Sequence, residues 1–302
     1  MDNVCHTLVG AAFGEAGLKR HARFGNVTLM IAANLPDVDV LVFATDMPSV
    51  AFRRGWTHGV LALALLPLAL TGVMLGVERM CPARDDREPI RLRGLLLLSY
   101  VGVLSHVALD LLNNYGVRLL MPFSNRWFYG DTLFIIDPWL WLVLGAGIWL
   151  TRRRGVPLAA GHALTVAFIY IAVMGINARL SRDVVLNEWR VTRGGDPAHL
   201  MVGPVPFTPL RRQVIVDGGL SYETGTLEVL SRRLMPDAVV PKNDTDPRVA
   251  RAREAPHIRA FLIWSRFPFW TVEETNEGTR VSVSDLRFAG RGAPFVQSVM
   301  VR

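Results

Sequence analysis

Lysine is nearly missing from this 302-residue chain, because Lys19 and Lys242 are the only lysines among its 33 basic residues. The formal charge of +7 is therefore carried by arginine, a bias that fits a high-GC bacterial coding sequence. No basic patch interleaved with aromatics accompanies it, so nucleic acid is not expected as a partner. Cysteine is equally scarce: Cys5 and Cys81 lie far apart, which argues against a disulfide framework and against a cysteine-based metal site. The N-terminus opens Met1-Asp2-Asn3 with no basic n-region, and Glu15 interrupts its short apolar run. Membrane insertion is thus expected to use internal spans rather than a cleaved signal peptide. Internal repeats and low-complexity tracts are also absent from the sequence.

Apolar residues are what the chain has in excess. Hydrophobic residues make up 51% and mean hydropathy is +0.29, yet the charged fraction of 20% is near normal. Both values fit one chain only if it has two unlike parts. Residues 26–178 carry the membrane signal, whereas residues 180–302 are polar, rich in Pro and Arg, and alternate with period two. The expected fold class is a polytopic α-helical membrane domain of about four to six membrane helices, one of them broken, followed by a small β-rich soluble domain. The expected boundaries are 1–178 for the membrane domain, 179–209 for a linker and 210–302 for the β-rich domain.

The clearest spans are Gly59 to Val77, Leu92 to Leu112, Leu133 to Leu150 and Pro157 to Ile176, each near the roughly 20 residues that a bilayer core demands. Val4 to Leu18 and Phe24 to Ala44 are less regular. The second contains Asn34-Leu35-Pro36-Asp37, where Pro36 would break the backbone ladder, and irregular backbone at membrane depth is tolerated only where it is packed in protein or lines a cavity. Arginines concentrate between Glu78 and Arg93 (Arg79, Arg84, Arg87, Arg91, Arg93) and after the third span (Arg152, Arg153, Arg154). The positive-inside rule then puts these loops in the cytoplasm and the opposite ends, with the C-terminal domain, on the periplasmic face of an inner membrane.

Beyond Ile176, strands are expected at Arg212–Asp217, Thr226–Leu230, Ala260–Trp264, Phe269–Glu273 and Thr279–Val283. Turn signals stand at Asp217-Gly218-Gly219 and Asn276-Glu277-Gly278. Pro204, Pro206 and Pro209 suggest an extended, polyproline-like connector over residues 203–209.

Six side chains that metals favour, His6, Asp37, Asp39, His58, His106 and Asp110, sit in or beside the apolar stretches. Burying such groups is costly, so a residue of this kind defaults to a functional reading. His106 and Asp110 share a helix face at i, i+4. A neutral imidazole and a carboxylate suit zinc and other first-row divalent ions. Asp37 and Asp39 would repel each other unless a cation sits between them. His58 stands at the mouth of a span, and Arg53 and Arg54 beside it carry guanidinium groups matched to phosphate. His6 opens a small-residue segment that permits close packing. Asp137 precedes Pro138 as a helix cap and is a further candidate ligand or supporting partner. His21, His162, His199 and His257 lack acidic or histidine partners at ligand spacing and are assigned structural or solvated roles.

Residues Met1 to Asp137 resemble the YdjM-type membrane-bound, metal-dependent hydrolases of bacteria. The resemblance lies in His6 and in three elements, Asn34-Leu35-Pro36-Asp37-Val38-Asp39, Arg54-Gly55-Trp56-Thr57-His58 and Ser105-His106-Val107-Ala108-Leu109-Asp110. The ligand order is also similar to that of zinc-dependent phospholipase C and P1-type nucleases, although a second downstream His-x-x-x-acid pair and an N-terminal Trp are lacking. The resemblance implies a divalent metal, one or two ions and zinc by preference, held by His6, Asp37, Asp39, His58, His106 and Asp110. It implies hydrolysis of a phosphoester of a lipid or lipid-linked substrate by activated water, with Asp37 or Asp39 as general base and Arg53 and Arg54 steadying the anion. Two other readings compete. In a transporter the same groups would bind a permeating ion, but that needs polar residues deeper in the spans, and Leu61–Leu70 and Leu95–Leu98 are nearly purely apolar. In a membrane-anchored binding protein the β-rich domain would do the work.

Overall fold

The computed structural model describes residues 1–301 except 45–48, 82–90, 156–157 and 290–294. Helix α1 (Asn3–Glu15) starts on Asp2, whose carboxylate accepts from the backbone N–H of Val4 and Cys5 and so satisfies two of the first orphan donors. A 3-10 turn (Leu18–His21) leads to α2 (Gly25–Ala32), and a 3-10 stretch, Leu35–Ala44, follows it at an angle of 52°. The expected broken segment is therefore a bent pair. Next come α3 (Ser49–Phe52), α4 (Val60–Met80), α5 (Leu92–Leu111), α6 (Pro138–Arg154) and α7 (Leu158–Arg193).

Among the described residues, α4, α5 and α7 are long and apolar enough to cross a membrane, and the bent pair would make a fourth span. Helix α6 was expected as a span over Leu133–Leu150. It begins at Pro138 instead, because Asp137 caps it, and its 17 residues fall at the short limit for a crossing. Helix α1 has 13 residues, about 20 Å of rise, which is short of a bilayer core. Of the most apolar windows of α4 and α7, only 28% and 22% of residues are buried, so most of their leucines, valines and phenylalanines face outward. Leu65, Val73 and Phe168 are examples. Residues Arg84 and Arg87 of the expected basic loop, and Pro157 at the expected start of α7, lie outside the described residues.

Two compact units result. The first is Met1–Leu41 with Arg53–Ile176. Its helices approach closely through small residues: a Cβ on Gly10 would lie 2.7 Å from the Leu29 carbonyl oxygen, and one on Gly102 would lie 2.3 Å from the Ala32 Cβ. The α1–α2 and α2–α5 seams therefore run almost backbone to backbone.

The second unit, Val42–Phe52 with Asn177–Arg302, holds two antiparallel sheets. One has strands β1 (Leu200–Val205), β2 (Thr208–Asp217), β3 (Ser221–Glu228) and β4 (Arg233–Pro241) in sequential order. Helices α8 (Pro247–Ala252) and α9 (Pro256–Trp264) precede the other sheet, formed by β5 (Pro268–Thr275), β6 (Gly278–Asp285) and β7 (Val296–Val301). Period-two alternation sorts the first sheet. Leu200, Val202, Val214 and Val216 pack with Val185, whereas Met201 and Ile215 pack with Tyr222 and Phe267.

Three expectations are corrected here. The stretch read as a linker is helical to Arg193 and becomes strand at Leu200. The proline-rich connector is a hairpin instead, in which Val205 pairs with Thr208 and Phe207 takes a φ of 64°. Ala260–Trp264 is helix, because Pro256 occupies the first turn and Ile258, Phe261 and Trp264 recur every three residues on the buried side. The two turn signals stand where expected, with Gly219 and Gly278 at φ of 96° and 130°.

Candidate metal centre

The break after α2 is the first element of the site. In a continuous helix the Asp37 N–H would bond the carbonyl of Ala33; here it bonds Asn34, at 3.1 Å. Pro36 has no N–H to continue the ladder, and the Ala33 carbonyl is left over at the helix end. It points at α5. His106 donates from Nδ1 to this oxygen at 2.7 Å, an approach made possible by Gly102 one turn earlier, where α5 lies against Ala32 and Ala33. That hydrogen bond fixes the tautomer, leaving a lone pair on His106 Nε2.

His58, immediately before α4, is fixed from the other side. Asp39 accepts from the Arg54 N–H at 2.8 Å, from Thr57 Oγ1 at 3.1 Å and from Arg53 Nε at 3.2 Å. Since the Thr57 hydroxyl proton goes to the carboxylate, His58 Nδ1, 2.9 Å from Thr57 Oγ1, is the donor to that oxygen. Its Nε2 therefore also carries a lone pair. The two Nε2 atoms face each other at 3.1 Å. Neither has a proton to share in these tautomers, so the contact is repulsive unless a cation lies between them.

Two carboxylates complete the convergence. Asp110 Oδ2 lies 3.3 Å from His58 Nε2 and 3.6 Å from His106 Nε2. Asp37 Oδ1 lies 4.0 and 3.9 Å from the same nitrogens. One atom from each of Asp37, His58, His106 and Asp110 falls within 4.8 Å of all the others, and all four residues are buried. Ligand atoms about 2.0–2.1 Å from a tetrahedral zinc lie about 3.3–3.4 Å apart along each edge, a spacing inside the range of these contacts. Asp37 Oδ1 and Asp110 Oδ2 make no hydrogen bond despite their burial; Arg54 Nε stands 3.0 Å from Asp110 Oδ2, but at an ion-pair contact only. Two unshared lone pairs and two carboxylate oxygens that have an arginine nearby but no hydrogen bond converge on one point and fit a divalent cation.

The other sequence candidates fall elsewhere. His6 stacks on His106 with ring centroids 3.7 Å apart, its Nε2 lies 3.3 Å from Asp110 Oδ1, and neither of its nitrogens is hydrogen-bonded. It borders the group on the far side of Asp110. Asp39 holds His58 in place and does not join the converging atoms. The cation between Asp37 and Asp39 is Arg53, with Nη2 3.5 Å from Asp37 and Nε 3.2 Å from Asp39. Arg54 is buried: it donates to Asn113 Oδ1 at 3.0 Å and to the Met1 carbonyl at 3.4 Å, and it lies over the Tyr115 ring at 4.6 Å. With its donors turned inward it is not available to an outside anion, contrary to the expected role. Asp137 caps α6 and accepts from the Tyr170 hydroxyl at 2.9 Å, so it is no ligand to this group.

Asn113, not among the sequence candidates, also belongs to the site. Its Oδ1 accepts from Arg54 and from the N–H of Tyr115 and Gly116, and its Nδ2 donates to Asp110 at 3.4 Å. The signal was present: a paired Asn113-Asn114 follows the span directly. The Ala33 carbonyl has no such signal, because any residue supplies one.

A helical scaffold of the membrane type, with buried histidines and aspartates arranged to receive a metal ion, defines the class of this protein. The chain belongs to the family described as "YdjM inner membrane protein", whose family model matches residues 1–179 and so spans all four converging residues. The chain is also similar to a Bacillus subtilis (strain 168) protein named "Uncharacterized protein YfhP", at 23% identity over 313 residues covering 100% of this chain and 91% of that protein. That likeness runs through the β-rich region as well. No solved structure matches the chain.

Proposed function

We propose that this membrane protein is a metal-dependent hydrolase that cleaves a phosphoester of a lipid or lipid-linked substrate. The observation that carries the reading is the pair of facing imidazole lone pairs, flanked by two carboxylate oxygens without a hydrogen bond at the ends of apolar helices. His58 precedes the start of α4 and Asp110 lies at the end of α5. The donors therefore sit at the boundary of two candidate spans, the depth at which headgroup esters lie.

A divalent ion held there, zinc or another first-row metal, would acidify a bound water and polarise a phosphoryl oxygen. His58 and His106 contribute neutral nitrogens whose tautomers are already set by Thr57 and Ala33. Asp37 is the carboxylate left to accept a proton, since the donors of Arg53, Arg54 and Thr57 occupy Asp39. Arg53 is the cation with access, its side chain 24% exposed, and it meets the anionic group of the substrate. The buried Arg54 already supplies a positive charge beside Asp110, which favours a single ion over two.

Orientation follows from the opposite end of the bundle. There Arg152 pairs with Glu15 at 2.9 Å, Lys19 also reaches Glu15, Arg23 donates to the Cys81 carbonyl, and Arg91 donates to the Arg20 carbonyl at 3.1 Å. Such a basic end is cytoplasmic by the positive-inside rule, which turns the metal centre to the periplasmic face of a multi-pass protein.

The test is phosphate-ester release from phospholipid vesicles by the purified full chain, with and without chelator, beside Asp37→Asn. Hydrolysis that chelator and the substitution both abolish supports the reading. Hydrolysis that survives both overturns it.

A further inference from the structure

The first unit also carries a concave feature, whose chemistry is the reverse of the metal centre's. A groove of about 360 Å³ runs between α1, α5, α6 and α7, with Val9, Phe13, Ala108, Leu112, Leu144 and Leu164 among its walls. Its lining side chains include one polar group, the Ser105 hydroxyl, and that donates to the Gly102 carbonyl at 2.8 Å. The groove thus offers a ligand no free side-chain donor and favours hydrocarbon. Phe168 stands at its rim and is 72% exposed.

The groove and the metal centre share two helices. On α1, His6, Val9 and Phe13 follow one another at i, i+3 and i+7 along one face. His6 stacks on His106, and Val9 and Phe13 line the groove. On α5, His106 and Asp110 reach the centre, while Ala108, Leu109 and Leu112 between and beyond them line the groove. From His6 to Phe13 is about 10 Å of helix rise, directed away from the donors and towards the Glu15 end of α1.

We propose that this groove binds one acyl chain of a lipid whose phosphoester headgroup lies at the metal centre. The proposal rests on the phosphoester reading for the headgroup, but not for the chain. The occupant is argued from continuity: the α1 and α5 residues that line the groove follow directly on His6, His106 and Asp110, so an apolar ligand here is joined to whatever lies at the metal centre. A hydrocarbon chain suits its apolar lining, and a lipid joins such a chain to a phosphoester headgroup.

The experiment uses the full chain in nanodiscs containing a phosphatidylglycerol with a photoactivatable diazirine in one acyl chain, followed by peptide mapping. Labelling is expected to concentrate on the groove-lining residues of α1, α5, α6 and α7, Val9, Phe13, Leu112, Leu144 and Leu164 among them. Filling the groove with Ala108→Phe or, from a different helix, Leu164→Trp should lower that labelling about tenfold, a loss of about 1.4 kcal/mol of binding. Metal content in each variant reports whether the bundle has kept its shape; a variant that has lost its metal is replaced by the other, and if both lose it the wild-type labelling map alone decides. Labelling spread evenly over the outward faces of α4 and α7, labelling unchanged in a metal-retaining variant, or cross-linked dimers in its place would overturn the proposal. Because the readout is binding, groove labelling without hydrolysis would refute the enzyme reading and leave the acyl site standing. Hydrolysis without groove labelling would do the reverse.

Discussion

His58 Nε2 and His106 Nε2 approach to 3.1 Å although each ring has committed its proton elsewhere, to Thr57 Oγ1 and to the Ala33 carbonyl. Two histidines from different helices are held with their lone pairs facing, and the neighbouring carboxylate oxygens of Asp37 and Asp110 have no hydrogen bond of their own. An apolar bundle does not retain such an arrangement for packing alone. The Met1 ammonium, Arg53 and Arg54 offset part of the carboxylate charge, but none of them lies between the two imidazole lone pairs, whose burial face to face still costs free energy unless a cation joins them.

The groups behind the histidines should therefore matter almost as much as the histidines themselves. Thr57→Val removes the acceptor of His58 Nδ1 and one donor to Asp39 while keeping the shape of the side chain. Supporting partners of this kind typically contribute 10–100-fold to metal affinity. We expect a metal titration of Thr57→Val to show affinity weakened by about that factor with unchanged stoichiometry; wild-type affinity would mean that the tautomer of His58 is not set by Thr57.

Arg53 and Arg54 are adjacent in sequence but should behave differently. Arg53→Gln is expected to raise KM for a phosphoester substrate and to cost less stability than Arg54→Gln, because its side chain is 24% exposed and water can replace part of its contact with Asp37 and Asp39. Arg54→Gln withdraws a buried charge from Asp110 and Asn113, a loss on the order of 3–5 kcal/mol for a buried pair broken on one side. The check is apparent Tm in detergent beside kinetics. Equal loss of Tm in both variants would contradict the separation.

In the β-rich unit, Asp285 is fully buried and accepts from Ser265 Oγ and the Arg266 N–H, both at 2.7 Å, and from Arg287 Nε at 2.8 Å. Burial alone would raise its pKa; the Arg287 charge and the hydrogen bonds outweigh burial and hold it below the ordinary 3.8. A depressed carboxylate stabilises the fold above its unfolded value, and this contribution is lost as pH falls through the lower folded value. Acid unfolding of this unit, followed by tryptophan fluorescence, should therefore show a step below pH 3.8 that Asp285→Asn removes. The variant should also be less stable at neutral pH.

The sequence makes a large part of the site visible because of what burial costs. Asp37, His58, His106 and Asp110 each stand out as a ligand-type residue in an apolar setting, and the i, i+4 pair on α5 can be oriented from helix geometry alone. The division of labour between Asp37 and Asp39 is less accessible. Both carboxylates follow the same break, and only the 3-10 path of Leu35–Ala44 decides that one meets the histidines and the other meets Thr57. Arg54 looks like an anion clamp until Asn113 and Tyr115, some sixty positions further on, are seen to enclose it. In the fold, strands with alternating polar faces are legible, as at β2 and β6. Ala260–Trp264 misleads because five consecutive apolar residues have no visible period, and the Ile258–Phe261–Trp264 spacing emerges only when the window is widened to Pro256.

We propose that Asp37, His58, His106 and Asp110 hold a metal ion on which hydrolysis depends. Elemental analysis of the purified wild-type chain beside His58→Ala and Asp110→Ala, with phosphoester hydrolysis measured on the same samples, tests it most directly. We expect close to one divalent ion per chain in the wild type, and loss of both metal and activity in the two variants. A wild-type chain that hydrolyses substrate without metal, or variants that keep their full metal content, would contradict the claim.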